Sequence, residues 1–150
     1  MNEEIKQYIL ELQPNATFDE AGEFLTIELA PNEWRSLADM LKDSRFHFDY
    51  LFCLTCVDWK THLTMVYHFS STKNRQLNIV IKVKLDRANP VIETVCDIWR
   101  TAEFHEREVF EMFGVKFLHH PDLRKLILED DFAGYPLRKD FEDPINMIKL

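Results

Sequence analysis

Glycine is scarce in this chain: Gly22, Gly114 and Gly134 are the only three in 150 residues. No phosphate-cradling loop and no cofactor fingerprint stands beside its carboxylates, and no activated nucleophile either. Cysteine is equally scarce and odd in number, with Cys53, Cys56 and Cys96. That fits a reducing compartment rather than a disulfide framework, and three thiols cannot complete a four-cysteine cluster. No run approaches the ~20 apolar residues that a membrane span needs, and no basic amphipathic helix faces lipid headgroups. The start, Met1-Asn2-Glu3-Glu4, is acidic and lacks the apolar stretch of a secretory signal, so the expectation is a soluble, cytoplasmic protein. The charge balance is acidic and uneven. The net charge is −8, and residues 1–60 carry twelve acidic against five basic side chains. Without a basic patch to neutralise phosphates, direct nucleic-acid binding is excluded.

What is abundant is apolar and aromatic: 46% of the chain is hydrophobic and twelve residues are phenylalanine, enough for a thick core, an interface, or both. Ile5, Tyr8, Ile9 and Leu12 have helical spacing, which predicts a helix over 2–12. Leu25, Ile27 and Leu29 alternate with polar residues as a half-buried strand. Pro31-Asn32 opens a helix with Trp34, Leu37, Ala38 and Leu41 on its core side. The mostly apolar run from His47 to Trp59 reads as a long strand buried on both faces. Two alternating runs, Leu63–Phe69 and Leu77–Val83, joined by a polar turn, make a β-hairpin. The expected fold is one α+β domain over 1–150. It is a two-layer sandwich with a mixed, mostly antiparallel sheet, helices on one face and an irregular C-terminal tail.

The chain is organised around Trp99–Phe141. At 100° per residue, Trp99, Ala102, Val109, Phe110 and Phe113 form the apolar stripe of a helix, and Gly114 follows as its stop. Glu106 lies in the middle of that stripe, while Glu108 and Glu111 fall well away from it. A carboxylate on an apolar face needs a cation, so a buried ion pair of Glu106 with Arg124 or Arg138 is expected. Pro121-Asp122 can open one short helix through Leu128. Beyond it the chain has turn residues and little periodic burial.

Possible chemistry is thin. Cys53-Leu54-Thr55-Cys56 sits inside a strand, where residues i and i+3 face opposite ways, so it reads as two structural cysteines. His105-Glu106-Arg107-Glu108-Val109 starts like the zinc motif H-E-x-x-H but has valine where the second histidine belongs. His119-His120 with Asp122 reads as ordinary polar loop contacts rather than a metal cluster. Glu106, Glu108 and Glu111 read as structural acids. No catalytic residue and no metal ligand is therefore assigned.

Three blocks in order and spacing carry a resemblance. They are Glu106-Arg107-Glu108-Val109-Phe110-Glu111-Met112-Phe113-Gly114-Val115, then His120-Pro121-Asp122-Leu123-Arg124, then Gly134-Tyr135-Pro136-Leu137-Arg138-Lys139-Asp140-Phe141. Together with Leu54-Thr55-Cys56-Val57-Asp58-Trp59, they resemble the 30 kDa subunit (the C subunit) of the proton-translocating NADH:quinone oxidoreductase, respiratory complex I. The likeness covers roughly residues 20–143. It departs at His119, where that family commonly has glycine, and at Tyr135, where it commonly has histidine.

The resemblance implies a cofactor-free, non-catalytic subunit of the hydrophilic arm, peripheral on the cytoplasmic side of the membrane and attached only through the complex. NADH, FMN, iron–sulfur clusters and quinone would reside in other subunits. The implied partners are the quinone-site subunit (the D subunit) and the neighbouring iron–sulfur subunits. The segment from His119 to Phe141 mixes aromatics with arginine, as interface anchors do. It is the expected docking surface, through His120, Asp122, Phe132, Tyr135, Leu137, Arg138, Lys139 and Phe141, the alternative being that it merely wraps its own sheet. The alternative is the homologous subunit of a membrane-bound hydrogenase or formate-linked complex. A freestanding enzyme using Glu106 or His120 has nothing in the sequence that calls for it.

Overall fold

The computed structural model describes residues 1–148. Helix α1 spans Asn2–Leu12 and strand β1 Thr17–Asp19; β2 is Leu25–Leu29 and α2 is Pro31–Leu41. Three nine-residue strands follow, β3 (Tyr50–Asp58), β4 (His62–Ser70) and β5 (Asn78–Asp86), then β6 (Val91–Glu93), α3 (Ala102–Phe113) and β7 (Lys116–Leu118). The main sheet has the order β1-β2-β5-β4-β3. Only β2 and β5 run parallel in it, and β6 and β7 form a small parallel pair of their own. The α+β reading therefore holds, with three short strands, β1, β6 and β7, that were too brief to show a period.

The hairpin β4–β5 forms as its alternation requires, in a register that sets Met65 opposite Val83 and Tyr67 opposite Ile81. Its inner face, Leu63, Met65, Tyr67 and Phe69 with Ile79, Ile81, Val83 and Leu85, is almost fully buried. All these residues join one core with Ile5 and Ile9 of α1 and Trp34, Leu37 and Leu41 of α2. Aromatic rings fill its centre: Trp34 lies 4.7 Å from Tyr67, and Phe69 lies 4.6 Å from Trp99. In α2 the Glu33 carboxylate accepts from the Ala30 N–H, a donor that the helix leaves orphaned.

Two local expectations fail for physical reasons. Strand β3 is not buried on both faces. Leu51, Leu54, Cys56 and Asp58 point inward while Cys53, Thr55 and Val57 are half-exposed, because the core lies on only one side of the sheet. A register shift between Leu51 and Cys53 leaves Phe52 as the extra residue of a bulge. The short helix expected over 121–128 does not form; that stretch is turn and bend. Backbone groups that a helix would pair internally are taken by side chains of α3 instead. α3 itself starts at Ala102 because the preceding residues close a tight turn, with Trp99 N–H on the Val95 carbonyl. It ends as expected, on Gly114 at φ +78°. Among the described residues no helix is long and apolar enough to cross a membrane.

Candidate docking surface

The tail after β7 has no regular structure, yet its backbone is held at many points from beneath. Arg107 and Glu111 are four residues apart on α3, hence on one side of it, and both are buried. Arg107 donates from Nε to the Arg124 carbonyl and from Nη2 to the Lys125 carbonyl, each at 3.0 Å. The Glu111 carboxylate accepts the N–H groups of Leu126, Ile127 and Leu128 at 2.9–3.1 Å. Lys125 Nζ then donates to the carbonyls of Glu129, Asp130 and Phe132. Glu111 looked solvent-facing in the helical projection because α3 buries two sides, one in the core and one under the tail. The legible signal was the i, i+4 pair of opposite charges beside a segment with no internal pairing.

The second half of the tail hangs from the C-terminal end of α3. Leu137 N–H donates to the Met112 carbonyl at 3.1 Å, and Arg138 Nε to the Phe113 carbonyl at 2.6 Å. A cation on these terminal carbonyls suits the helix dipole as well as the orphan acceptors. The Tyr135 ring lies flat on Gly114, where a Cβ would approach it to 2.6 Å, so that glycine is required twice over. The Arg138 guanidinium lies 5.0 Å from the centre of the Tyr135 ring, and Phe132 stacks on Phe141 at 6.0 Å.

Asp58, buried at the end of β3, closes the strap. It accepts from Arg87 Nε and Nη2 and from the N–H groups of Lys60 and Lys139, all at 2.8–2.9 Å. The Arg87 guanidinium holds its carboxyl well below the usual carboxylate range, against the opposing push of burial. Arg87 also reaches Asp140 at 3.0 Å, and Lys139 sits over the Trp59 ring.

With the backbone fixed inward, apolar side chains point out. Ile127 is 72% exposed, Trp59 55%, Leu137 53% and Tyr135 42%, with Leu126 at 38%. Asp122 and Lys139 are exposed, and Phe132, Arg138 and Phe141 half-buried. His120 is the exception among the expected contact residues. Its side chain is fully buried, and both ring nitrogens are used inside: Nδ1 accepts from Asp122 N–H and Nε2 donates to the Glu103 carbonyl. It cannot face a partner in this arrangement.

The expected ion pair of Glu106 is also corrected. Arg124 turns outward to Asp122 at 3.0 Å, and Arg138 is held at the end of α3. The fully buried Glu106 instead accepts from Thr94 Oγ and, at 2.9 Å, from Val95 N–H. These two donors favour the charged form, but burial outweighs them and pushes the carboxyl up to about 7.

Cys96, Glu106 and His120 bring one ligand atom each within 4.8 Å of one another. In this arrangement the imidazole and the carboxylate take part in the hydrogen bonds given above, and His120 Nε2 lies 3.8 Å from Glu106 Oε2. His119 leaves the neighbouring histidine altogether for Glu93, at 2.8 Å, and takes φ +64°. That is the region that favours glycine, the residue common there in the family the sequence resembles. Cys53 is half-exposed and Cys56 is in the core, its thiol pushed up to about 12 by burial, and both are free.

Comparison with known proteins bears on this surface. Residues 27–145 match the family described as the 30 kDa subunit of respiratory-chain NADH dehydrogenase. The NADH-quinone oxidoreductase C subunit of Moorella thermoacetica is 37% identical over 139 residues, 89% of this chain and 93% of that protein. The C/D-type NADH-quinone oxidoreductase subunit of Phocaeicola vulgatus is 44% identical over 106 residues, 69% of this chain but only 20% of that protein's length. Among solved structures, a chain of a membrane-bound sulfane sulfur reductase, an archaeal respiratory membrane complex, superposes with TM-score 0.79. It is 30% identical, over 94% of this chain and 85% of that one.

Proposed function

Since the chain belongs to the family of the respiratory-chain NADH dehydrogenase 30 kDa subunit, the C subunit of complex I, we propose that it serves that enzyme without chemistry of its own. It docks the quinone-site subunit in the hydrophilic arm and thereby supports electron transfer from NADH to quinone. The docking surface is the tail from His119 to Phe141, with Trp59 beside it. The observation that carries this reading is the division of labour in the tail. Its backbone is bonded inward to Glu111, Arg107, Met112 and Asp58, while Tyr135 and Leu137 are left outside. Order without burial of the apolar side chains is what a preorganised interface needs, because the ordering entropy is spent before the partner arrives. The C/D-type relative, which joins the two subunits in one chain, supports adjacency of this domain to the quinone-site subunit.

In this reading the cofactors sit in the neighbouring subunits. A second reading has one observation in its favour, the likeness to the sulfane sulfur reductase chain. It makes this protein the corresponding subunit of a related membrane-bound respiratory complex with another electron donor or acceptor.

The experiment replaces Leu137 with Ser. Its side chain faces out, unlike that of Arg138, whose removal would disturb the domain itself. Membranes carrying Leu137→Ser should lose most NADH-dependent quinone reduction and most assembled complex, while the isolated protein keeps its thermal midpoint within about 2 °C. Normal assembly with that variant defeats the docking reading. Loss of a different membrane-bound electron-transfer activity, with the NADH-dependent one intact, selects the second reading.

A further inference from the structure

We propose that Leu126 and Ile127 form an apolar knob that seats in an apolar pocket rimmed by lysine or arginine on the partner subunit. This rests on the docking reading above and names the chemistry of the surface that the tail meets.

Three features of the structure lead to it. First, the knob is rigid. Three successive N–H groups, from Leu126 to Leu128, close on the buried Glu111 carboxylate, and Arg107 fixes the two carbonyls just before them. A loop so clamped cannot fold its side chains back into its own core. Second, the knob is apolar and outward. Ile127 is more exposed than any other large apolar side chain before residue 145, and Leu126 stands beside it. Third, the chain beyond the knob carries one sign of charge, and Arg124, the exposed cation before it, is paired to Asp122 at 3.0 Å. Glu129, Asp130 and Asp131 follow after Leu128, all three exposed. Lys125, the cation nearest in sequence, has its ammonium turned inward onto the carbonyls of Glu129, Asp130 and Phe132. It therefore fixes the backbone of the acidic run without covering its carboxylates, none of which meets a cation among the described residues.

An apolar anchor beside unpaired carboxylates selects a partner by exclusion as well as by attraction. An acidic rim on the partner would be repelled, and a neutral one would leave the run with no gain over water. A second copy of this chain presents the same acids and is disfavoured for the same reason. A basic rim steers the approach and gains on contact, so the charge appears in the association rate and the knob in the dissociation rate.

The test uses the full chain added back to the peripheral arm prepared without it, followed by surface-bound kinetics at roughly 50 and 200 mM salt. Wild type should associate several-fold faster at the lower salt. A triple variant, Glu129→Gln with Asp130→Asn and Asp131→Asn, should associate about tenfold more slowly and lose most of that salt dependence. Ile127→Ala should leave association alone and speed dissociation by about tenfold. Thermal melts of each free variant should match wild type, since none of the four side chains belongs to the core. If both variants bind as wild type does while Leu137→Ser abolishes binding, the knob is refuted and the docking reading stands. If Leu137→Ser also binds normally, the docking reading itself has failed. A free chain that dimerises through Ile127, as read by sedimentation, would overturn the proposal in favour of self-association.

Discussion

At the scale of single residues, Glu106 is where physical reasoning from sequence and the structure part company most usefully. Its place on the apolar stripe was legible, and with it the need for compensation. The identity of the compensation was not, because a threonine hydroxyl and a backbone N–H leave no mark in a charge pattern. The difference reverses a prediction. An arginine partner would make removal of the charge destabilising at neutral pH. Burial with no arginine or lysine partner among the described residues, and only His120 Nε2 at 3.8 Å, does the opposite. The folded-state value, about 7, lies above the ordinary carboxylate value of the unfolded chain. The stabilising difference is therefore fully present below the ordinary carboxylate range and is lost as pH rises through about 7. Glu106→Gln mimics the protonated acid at every pH. Melts from pH 5 to 8 should show wild type losing up to roughly 3 kcal/mol relative to the variant, with the variant more stable at pH 8. Parallel curves for the two proteins would mean that the carboxyl titrates normally in the fold.

At the scale of elements, the tail behaves as a strap whose fastenings are side chains of other elements. Glu111→Gln keeps the volume but removes the charge from Oε2, the oxygen on which all three N–H groups converge. Hydrogen exchange at Leu126, Ile127 and Leu128 should then rise by about tenfold or more, with the amides of β4 unchanged. Equal acceleration in β4 would show instead that the strap is part of the global fold. Asp58→Asn removes the charge that draws in Arg87 and the Lys139 N–H. Limited proteolysis should then cut between residues 136 and 142 well before it cuts the sheet, and an unchanged cleavage pattern would rule out Asp58 as the fastening.

These elements also show why some of the fold could be read and some could not. α1, α2 and the β4–β5 hairpin announce themselves because a core on one side imposes a period of 3.6 or 2 on neighbouring residues. β6 and β7, three residues each, are too short to carry a period. The absent helix at 121–128 had a sound local signal in Pro121-Asp122. It was overruled by Arg107 and Glu111, which reach the stretch from α3 across 15 to 18 residues of chain and are invisible to any local rule. The docking residues divide in the same way. Tyr135 and Leu137 are exposed as an interface requires, whereas His120, read from its place in a motif, is interior. Leu126, Ile127 and Trp59 were passed over because nothing local distinguishes an exposed apolar residue from a buried one.

At the scale of the whole molecule, the charge is uneven along the chain. The half of the chain that carries most of the net negative charge builds α1, α2 and the outer strands of the sheet. The nearly neutral half carries α3 and the tail, where apolar side chains stay outside despite an ordered backbone. On the proposed reading, a domain with a preformed exposed tail is suited to holding other subunits in place. Its contribution to catalysis would lie in how its neighbours are positioned. The most direct measurement is photo-crosslinking in the assembled complex, with the reactive side chain placed at Leu137 in one preparation and at the exposed Phe52, on β3, in another. Mass spectrometry should find the quinone-site subunit joined to this chain through position 137 and not through position 52. Crosslinks to that subunit from position 52 or from residues 1–60 alone, with none from position 137, would contradict the account.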